Sequence, residues 1–347
     1  MKDLFLSLVI WICGSTFVVV LVFYVTNLLP KRTDIWPYNM SEYRTVTTNI
    51  SGSPELHSPK HQEESYLLVL FTTFINNTQR SFVQNNTVLN WAQFAPLVKP
   101  VLFSTECLDT NDYKELALEQ GWDMYQISHT NLQGTPTLKH MYYKVTQQYN
   151  STFYAFSNGD ILYTHALVNT LKYLKTQLKD LSRVLIVGQR INHYDANSTE
   201  PLYRSEDVNA TAGSYNFTRY MAYAEDFFIV SHDGFPWDKT PDLVIGRLAY
   251  DNYLVAFAGM EDISVVDISM TVVALHQNIH EHPGDGRKQP DAKHNDIFIR
   301  NSTLHHRSFP YSLGTTKHAQ YYTVYDQNRN IVLKKRSRPV KKIKIYT

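Results

Sequence analysis

The sequence predicts an α/β fold, a mixed and mostly parallel sheet flanked by helices, preceded by one N-terminal transmembrane helix. Three observations predict it: an uncharged apolar run near the start, four continuous apolar runs of β-type residues further on, and stretches of helical apolar spacing between those runs. The 347 residues, 43% hydrophobic and 19% charged, suffice for a large core.

Residues 1–3 are expected to form a short cytoplasmic tail. Leu4 to Val25, LFLSLVIWICGSTFVVVLVFYV, carries no charge. As a helix at about 1.5 Å per residue it spans a bilayer core of roughly 30 Å. A cleaved signal has a shorter apolar region of about 7–15 residues, so the run is expected to stay as an anchor. Residues 26–63 are rich in Ser, Thr, Asn, Pro and His without apolar periodicity, and are expected to form a stem.

Asn39, Asn49, Asn76, Asn85, Asn150, Asn197, Asn209, Asn216 and Asn301 each open an N-x-S/T triplet without proline. Average composition gives roughly three or four. The excess points to a body in the secretory lumen, hence a type II orientation. Cys13 lies in the apolar run, leaving Cys107 as the body's single thiol. Cys107 is either buried and inert or joins a second chain, a possible homodimer.

The folded body is expected over residues 64–310. YLLVLFTTF (66–74), KPVLFST (99–105), FYAFS (153–157) and RVLIVG (183–188) have the continuous apolar character of strands covered on both faces. Between them SFVQNNTVLNWAQFA, NDYKELALEQG and TLKHMYYKVTQQY have helical spacing, and the β-α alternation favours a parallel sheet. ILYTHALVNTLKYLKTQL is helical in pattern. RYMAYAEDFFIVSH, DLVIGRLAYDNYLVAFAG and SVVDISMTVVALHQ continue the mixed pattern. Residues 311–347 read as an extension ending in KKRSRPVKKIK, which has seven basic residues and no acid. Such a run is expected to be a solvated tail, with contact to anionic lipid or glycan as the alternative. No nucleic-acid motif accompanies it, so no nucleic-acid partner is expected.

Ligands of open α/β sheets bind beyond the carboxyl ends of the strands. Asn158, Gly159 and Asp160 follow FYAFS at such an end. Gly159 allows an unusual φ or a close backbone approach, and Asp160 offers a hard oxygen for Mg²⁺ or Mn²⁺. An ordinary Asn-Gly turn with a helix-capping Asp has the same letters. Asp251 and Asn252 likewise start a helical stretch as a cap would.

The body, about residues 66–282, resembles GT-A-type glycosyltransferases of the nucleotide-diphospho-sugar transferase kind, in particular membrane-anchored (type II) animal members. The resemblance rests on LFTTFI with Arg80, NWAQFAPLVKPVLFS, GTPTLKHMY, YAFSNGDILYTHALVNTL, LIVGQRINH, WDKTPDLVIGRLAYDNYLV and VVDISMTVVALHQ, in that order. It implies transfer of a sugar from a nucleotide-diphosphate donor to a glycan or glycoprotein acceptor at the Golgi membrane, with Mn²⁺ or Mg²⁺ assisting. An Asp-x-Asp motif closes a strand in that family, and Asn158 stands at its first position here, leaving Asp160 as the acidic ligand. The resemblance makes His276 the second metal ligand and Asp251 an acceptor-binding residue or general base. It sets Thr72 and Thr73 beside base and ribose, and Arg80 and Lys139 beside phosphate. Arg190 and Arg247 are expected along the cleft, and Trp237 either stacks on an acceptor sugar or packs in the core. His232, His280, His282 and His294 are expected to be solvated. A catalytically silent glycan- or nucleotide-sugar-binding protein of the same fold is the alternative. A metallophosphoesterase ranks last, for want of H-x-H or D-x-H spacing.

Overall fold

The computed structural model describes residues 5–13, 16–24, 45–47, 65–75, 80–105, 112–181, 183–194, 200–278, 286–302 and 311–337. Cys107, His280, His282, the sequons at Asn39, Asn49, Asn76 and Asn197, and most of the stem lie outside them. The chain divides into two units, Met1–Glu42 and Tyr43–Thr347.

In the first unit the expected transmembrane helix is corrected. Strands β1 (Phe5–Cys13) and β2 (Thr16–Tyr24) pair antiparallel along their whole length. Val9, Ile10, Ile12, Val18, Val19, Val20 and Val22 make the run rich in β-branched residues, which lose little side-chain freedom in extended backbone. Among the described residues no helix is long and apolar enough to cross a membrane.

The second unit is built on a nine-stranded sheet. In chain order, β3 (Thr45–Thr47), β4 (Ser65–Thr73), α1 (Ser81–Ala92), β5 (Val98–Ser104), α2 (Asp112–Glu119), β6 (Asp123–Gln126), β7 (His129–Asn131), α3 (Leu138–Gln148) and β8 (Asn150–Ser157) form its first half. There follow β9 (Ile161–Tyr163), α4 (Ala166–Leu181), β10 (Val184–Gln189), β11 (Ile191–His193), α5 (Ser205–Ser214), β12 (Glu225–Ser231), α6 (Tyr250–Met260), β13 (Ser264–Asp267), β14 (Ala274–Gln277), α7 (His294–Asn301), β15 (Tyr321–Tyr325) and β16 (Ile331–Lys335). The sheet order is β16-β15-β13-β10-β12-β8-β4-β5-β6. Neighbours are parallel except at β16/β15, β10/β12 and β12/β8. The expected mixed, mostly parallel α/β sheet is what forms.

Period-two alternation sends successive residues of the central β4 to opposite faces. Leu68 and Leu70 join Trp91 of α1, Ala117 of α2 and Leu171 of α4 in one core. Val69 and Phe71 join Tyr142 of α3 and Tyr253 of α6 in the other. Both faces are covered, which is why these strands read as unbroken apolar runs. Trp91 and Trp122 stack with centroids 5.3 Å apart, fixing α1 against the segment that follows α2.

Two departures matter. ILY at 161–163, expected to begin a helix, forms β9 instead, in a separate three-stranded sheet of order β11-β14-β9, and α4 starts at Ala166. The C-terminal segment, expected outside the domain, completes the central sheet: β15 runs parallel to β13, and β16 closes the edge. The start of the basic run is therefore structured. Lys334 and Lys335 lie on the edge strand, where charge discourages further pairing, and Arg336 pairs with Asp267 at 2.7 Å. Thr45–Thr47 of the expected stem pairs antiparallel with β7.

Candidate functional site

A cavity of about 480 Å³ opens at the carboxyl ends of the parallel strands β4, β5 and β8. Thr72, Thr73, Arg80, Asn158, Gly159, Asp160 and Arg247 line it, seven residues expected at the site. Its volume lies within the ~300–1,000 Å³ of sites for small organic ligands.

Asn158-Gly159-Asp160 is the turn from β8 into β9, closed by the Ile161 N–H donating to Asn158 O at 3.3 Å. A Cβ on Gly159 would sit 2.6 Å from Phe74 Cδ1 and 3.0 Å from Thr73 O. Gly159 is there for close approach: it lets the turn lie against the end of β4. Helix α1 holds the same turn with a buried polar face. Thr87 Oγ1 donates to Gly159 O at 3.0 Å, Trp91 Nε1 to Ile161 O at 2.9 Å and Asn90 Nδ2 to Tyr163 O at 2.9 Å. Leaving one such buried group unpaired costs about 1–3 kcal/mol, so the turn is firmly located.

The cap reading of Asp160 does not hold, because its side chain turns to the cavity wall and is 15% exposed. Oδ2 accepts from Arg80 Nη2 at 2.8 Å and lies 3.5 Å from His276 Nε2. Burial raises its pKa; His276, Arg80 and Arg190 outweigh burial and hold the carboxyl well below the usual range. His276 arrives on β14, whose antiparallel pairing sets it opposite Ile161, while the Gln277 N–H donates to Asp160 O at 3.0 Å. Asp160 Oδ1 and His276 Nδ1 are buried without a hydrogen-bond partner among the described residues.

A divalent cation fits this pair. An anionic oxygen with an unpaired atom and an imidazole lie within one coordination sphere of each other, and the mixed set suits Mn²⁺ better than the oxygen-seeking Mg²⁺. No group of three or more His, Cys, Asp or Glu gathers around a metal position among the described residues. The protein offers two donors, so further ligands would have to come from substrate and water.

Arg247 reaches the opposite wall. Its Nε is ion-paired with Asp291 Oδ1 and its Nη2 donates to Thr135 Oγ1 at 3.0 Å. Asp291 is buried and also accepts from Asn131 Nδ2 at 2.7 Å and Thr135 Oγ1 at 2.6 Å. Burial raises its pKa, and the bonds from Arg247, Thr135 and Asn131 override burial and lower it.

Two expectations are corrected. Lys139 does not line the cavity: the register of α3 turns it to Asp242 Oδ1 at 2.6 Å and Thr240 O at 3.0 Å. Arg190 stands outside the lining as well; its Nη1 donates to both oxygens of Asp226, at 2.9 and 2.8 Å. Of the two placements expected for Trp237 the structure has core packing, stacked on Tyr142 at 4.1 Å.

Asp251 is in the first turn of α6, off the cavity lining. The N-cap is Ala249, with φ 79° and no side-chain cap bond, so Asp251 is not the cap; its Oδ1 accepts from the Asn252 N–H at 2.8 Å from inside the helix. Burial pushes its carboxyl up to about 7, against the Asn252 bond, and Asp226 adds to the rise. Glu225, at the start of β12, is buried with both oxygens unpartnered among the described residues, and burial and Asp251 push its pKa well up. His232 is exposed as expected, its Nδ1 3.1 Å from Tyr154 Oη. His294 is buried in α7 instead, and burial lowers its pKa.

Sequence reasoning missed Asp226, Asp291 and Glu225. Glu225 and Asp226 were readable as two acids entering the apolar run FFIVS; Asp291 sits in a polar stretch that gave no such signal.

No family model and no curated protein matches the chain. Among solved structures it is similar to the mannosyltransferase PcManGT from Pyrobaculum calidifontis in complex with GDP-Man and Mn²⁺, at 10% identity and TM-score 0.37, over 63% of this chain and 59% of that one. It is similar to glucosyl-3-phosphoglycerate synthase from Mycobacterium tuberculosis in complex with Mn²⁺ and UDP, at 11% identity and TM-score 0.34, over 62% and 73%. A mycobacterial protein matches over 80% of this chain and 85% of its own, at 10% identity and TM-score 0.34. Likeness this slight carries no activity across, and the functional reading rests on the site itself.

Proposed function

We propose that the chain is a GT-A-type glycosyltransferase that moves a sugar from a nucleotide-diphosphate donor to a glycan or glycoprotein acceptor. One observation carries the proposal: Asp160 lines a cavity of a size suited to a small organic ligand, and His276, far away in sequence and itself off the lining, stands 3.5 Å from its carboxylate. Mn²⁺ or Mg²⁺, held by Asp160 and His276, would supply positive charge to the departing nucleoside diphosphate. Thr72 and Thr73 offer hydroxyls and backbone groups to base and ribose at the end of β4. Arg80 and Arg247 face the cavity as fixed cations for phosphate, and the carboxylate partner of each, Asp160 and Asp291, holds the guanidinium in place. Asp251, with a carboxyl near neutrality, is suited to take the acceptor hydroxyl's proton.

The sequons support a Golgi location with a lumenal body. The ion pair of Arg80 on Asp160 favours a second reading, a silent binding protein whose acidic residue is already neutralised. Donor turnover by the purified chain across a nucleotide-sugar panel separates the two. Turnover abolished by EDTA and by Asp160→Ala supports the transferase; nucleotide binding without turnover supports the silent protein.

A further inference from the structure

Asn158 stands where an acidic residue is expected, and the structure gives that asparagine a partner. The antiparallel register of β12 on β8 pairs Phe227 with Ser157, which brings Asp226 opposite Asn158. The Asn158 N–H donates to Asp226 O at 2.8 Å, and Nδ2 donates to Asp226 Oδ1 at 2.8 Å. Asp226 is 6% exposed, and both of its oxygens take hydrogen bonds from Arg190 Nη1. Arg190 is itself fixed, with Nε donating to Asn192 Oδ1 at 2.9 Å and the guanidinium 4.8 Å from the centre of the Tyr220 ring.

A carboxylate ion-paired with arginine only accepts hydrogen bonds, so the group facing it must donate. The amide of Asn158 meets that demand with Nδ2, which turns Oδ1 the other way, where it accepts from the buried Tyr250 Oη at 3.4 Å, and Asn158 itself stands in the cavity wall. An aspartate at 158 would set a second carboxylate against Asp226 with one guanidinium between them.

We infer that Asp226 is a positioning residue for the donor site: from the neighbouring strand it accepts from the Asn158 side-chain amide and backbone N–H, and so fixes Asn158, a residue of the cavity wall, with Oδ1 turned to Tyr250. The asparagine is then a working half of a two-strand motif, and restoring an acid there harms the site. This rests on the proposed nucleotide-sugar reading.

The test is a reciprocal exchange in the full chain, read by UDP and GDP affinity in Mn²⁺ and by the thermal midpoint. Asn158→Asp and Asp226→Asn are each expected to weaken nucleotide binding about 10-fold and to lower the midpoint, and Asn158→Asp/Asp226→Asn to return both toward wild type. Tighter nucleotide binding by Asn158→Asp, or additive losses in the double variant, overturns the inference and leaves the transferase reading standing. If the wild-type chain binds neither nucleotide, the transferase reading falls. The midpoints then decide the pairing, with recovery in the double variant supporting the Asp226–Asn158 couple and additivity overturning it.

Discussion

Asp160 Oδ2 and His276 Nε2 meet at 3.5 Å because β14 pairs with β9 directly after the turn that carries Asp160. With two protein donors and Arg80 already on the carboxylate, a cation gains little from the protein alone. Mn²⁺ binding is therefore expected to be weak without nucleotide and to tighten when UDP or GDP adds phosphate oxygens. The electron paramagnetic resonance signal of free Mn²⁺, titrated with protein, measures both. Asp160→Ala is expected to abolish the nucleotide-dependent site, and His276→Ala, which removes the other protein donor, to weaken it. Equal binding with and without nucleotide, or variants that bind as wild type, would count against the pair.

Arg247 and Lys139 make a contrast, since sequence reasoning gave both to the cleft and the structure gives it to one. Arg247→Ala is expected to weaken nucleotide affinity by roughly 10–150-fold, because a charge-assisted hydrogen bond is worth about 1.5–3 kcal/mol. Asp291→Asn is expected to weaken it less, through loss of the group that holds the guanidinium. Lys139→Ala removes the pair with Asp242 and the bond to Thr240 O, both away from the cavity lining, and nucleotide affinity should stay unchanged. Calorimetric titration of the three variants checks the order.

Those two basic residues also mark how far the sequence could be read. The strands of the central sheet were legible because burial on both faces leaves an unmistakable apolar run, as Tyr66–Phe71 illustrates. The position of Asp160 followed from the rule that sites lie at strand ends. The partner of each polar group was not legible. Side chains of α3 one residue apart point about 100° apart, so the turn that sends Lys139 to Asp242 depends on packing of Leu138 and Tyr142 rather than on the residue itself. Strands of three residues, such as Ile161–Tyr163, are too short to show alternation, and β9 was absorbed into the helix after it. Asp226 became meaningful only once the register of β12 on β8 was known.

Asn150, Asn209, Asn216 and Asn301 are exposed, on a strand end, a helix, a turn of positive φ and a helix end. Asn85 is half-buried in α1, and the Thr87 of its triplet is fully buried, its hydroxyl bonded to Val83 O and Gly159 O. In a secretory host the four exposed sites are expected to carry glycan and Asn85 to stay bare. Peptide-N-glycosidase digestion with peptide mapping reads each site; a chain without glycan at all would contradict the lumenal location.

The proposed role of Asp251 ties stability and catalysis to one proton. Its folded carboxyl titrates at about 7, pushed up by burial, against roughly 3.9 in an unfolded chain. A raised folded pKa means that the group's contribution to stability is fully present below about pH 3.9 and is lost as pH rises through about 7. Asp251→Asn keeps an acceptor for the Asn252 N–H and removes the titration, so its stability relative to wild type should climb between pH 4 and 7 and level off above. Glu225, also raised, acts in the same direction, and Asp160, held low, acts in the opposite one, so the difference between variant and wild type is the quantity to measure. A general base follows the other limb of the same curve. Turnover should rise toward pH 7 as the carboxylate forms, and Asp251→Asn should lose roughly 10²–10⁴-fold in rate while binding nucleotide normally, because Asp251 is off the cavity lining. A helix-stabilising role alone moves the stability curve and leaves the rate profile where it was. Denaturant unfolding and initial rates, collected on wild type and Asp251→Asn over the same buffers, distinguish the two outcomes.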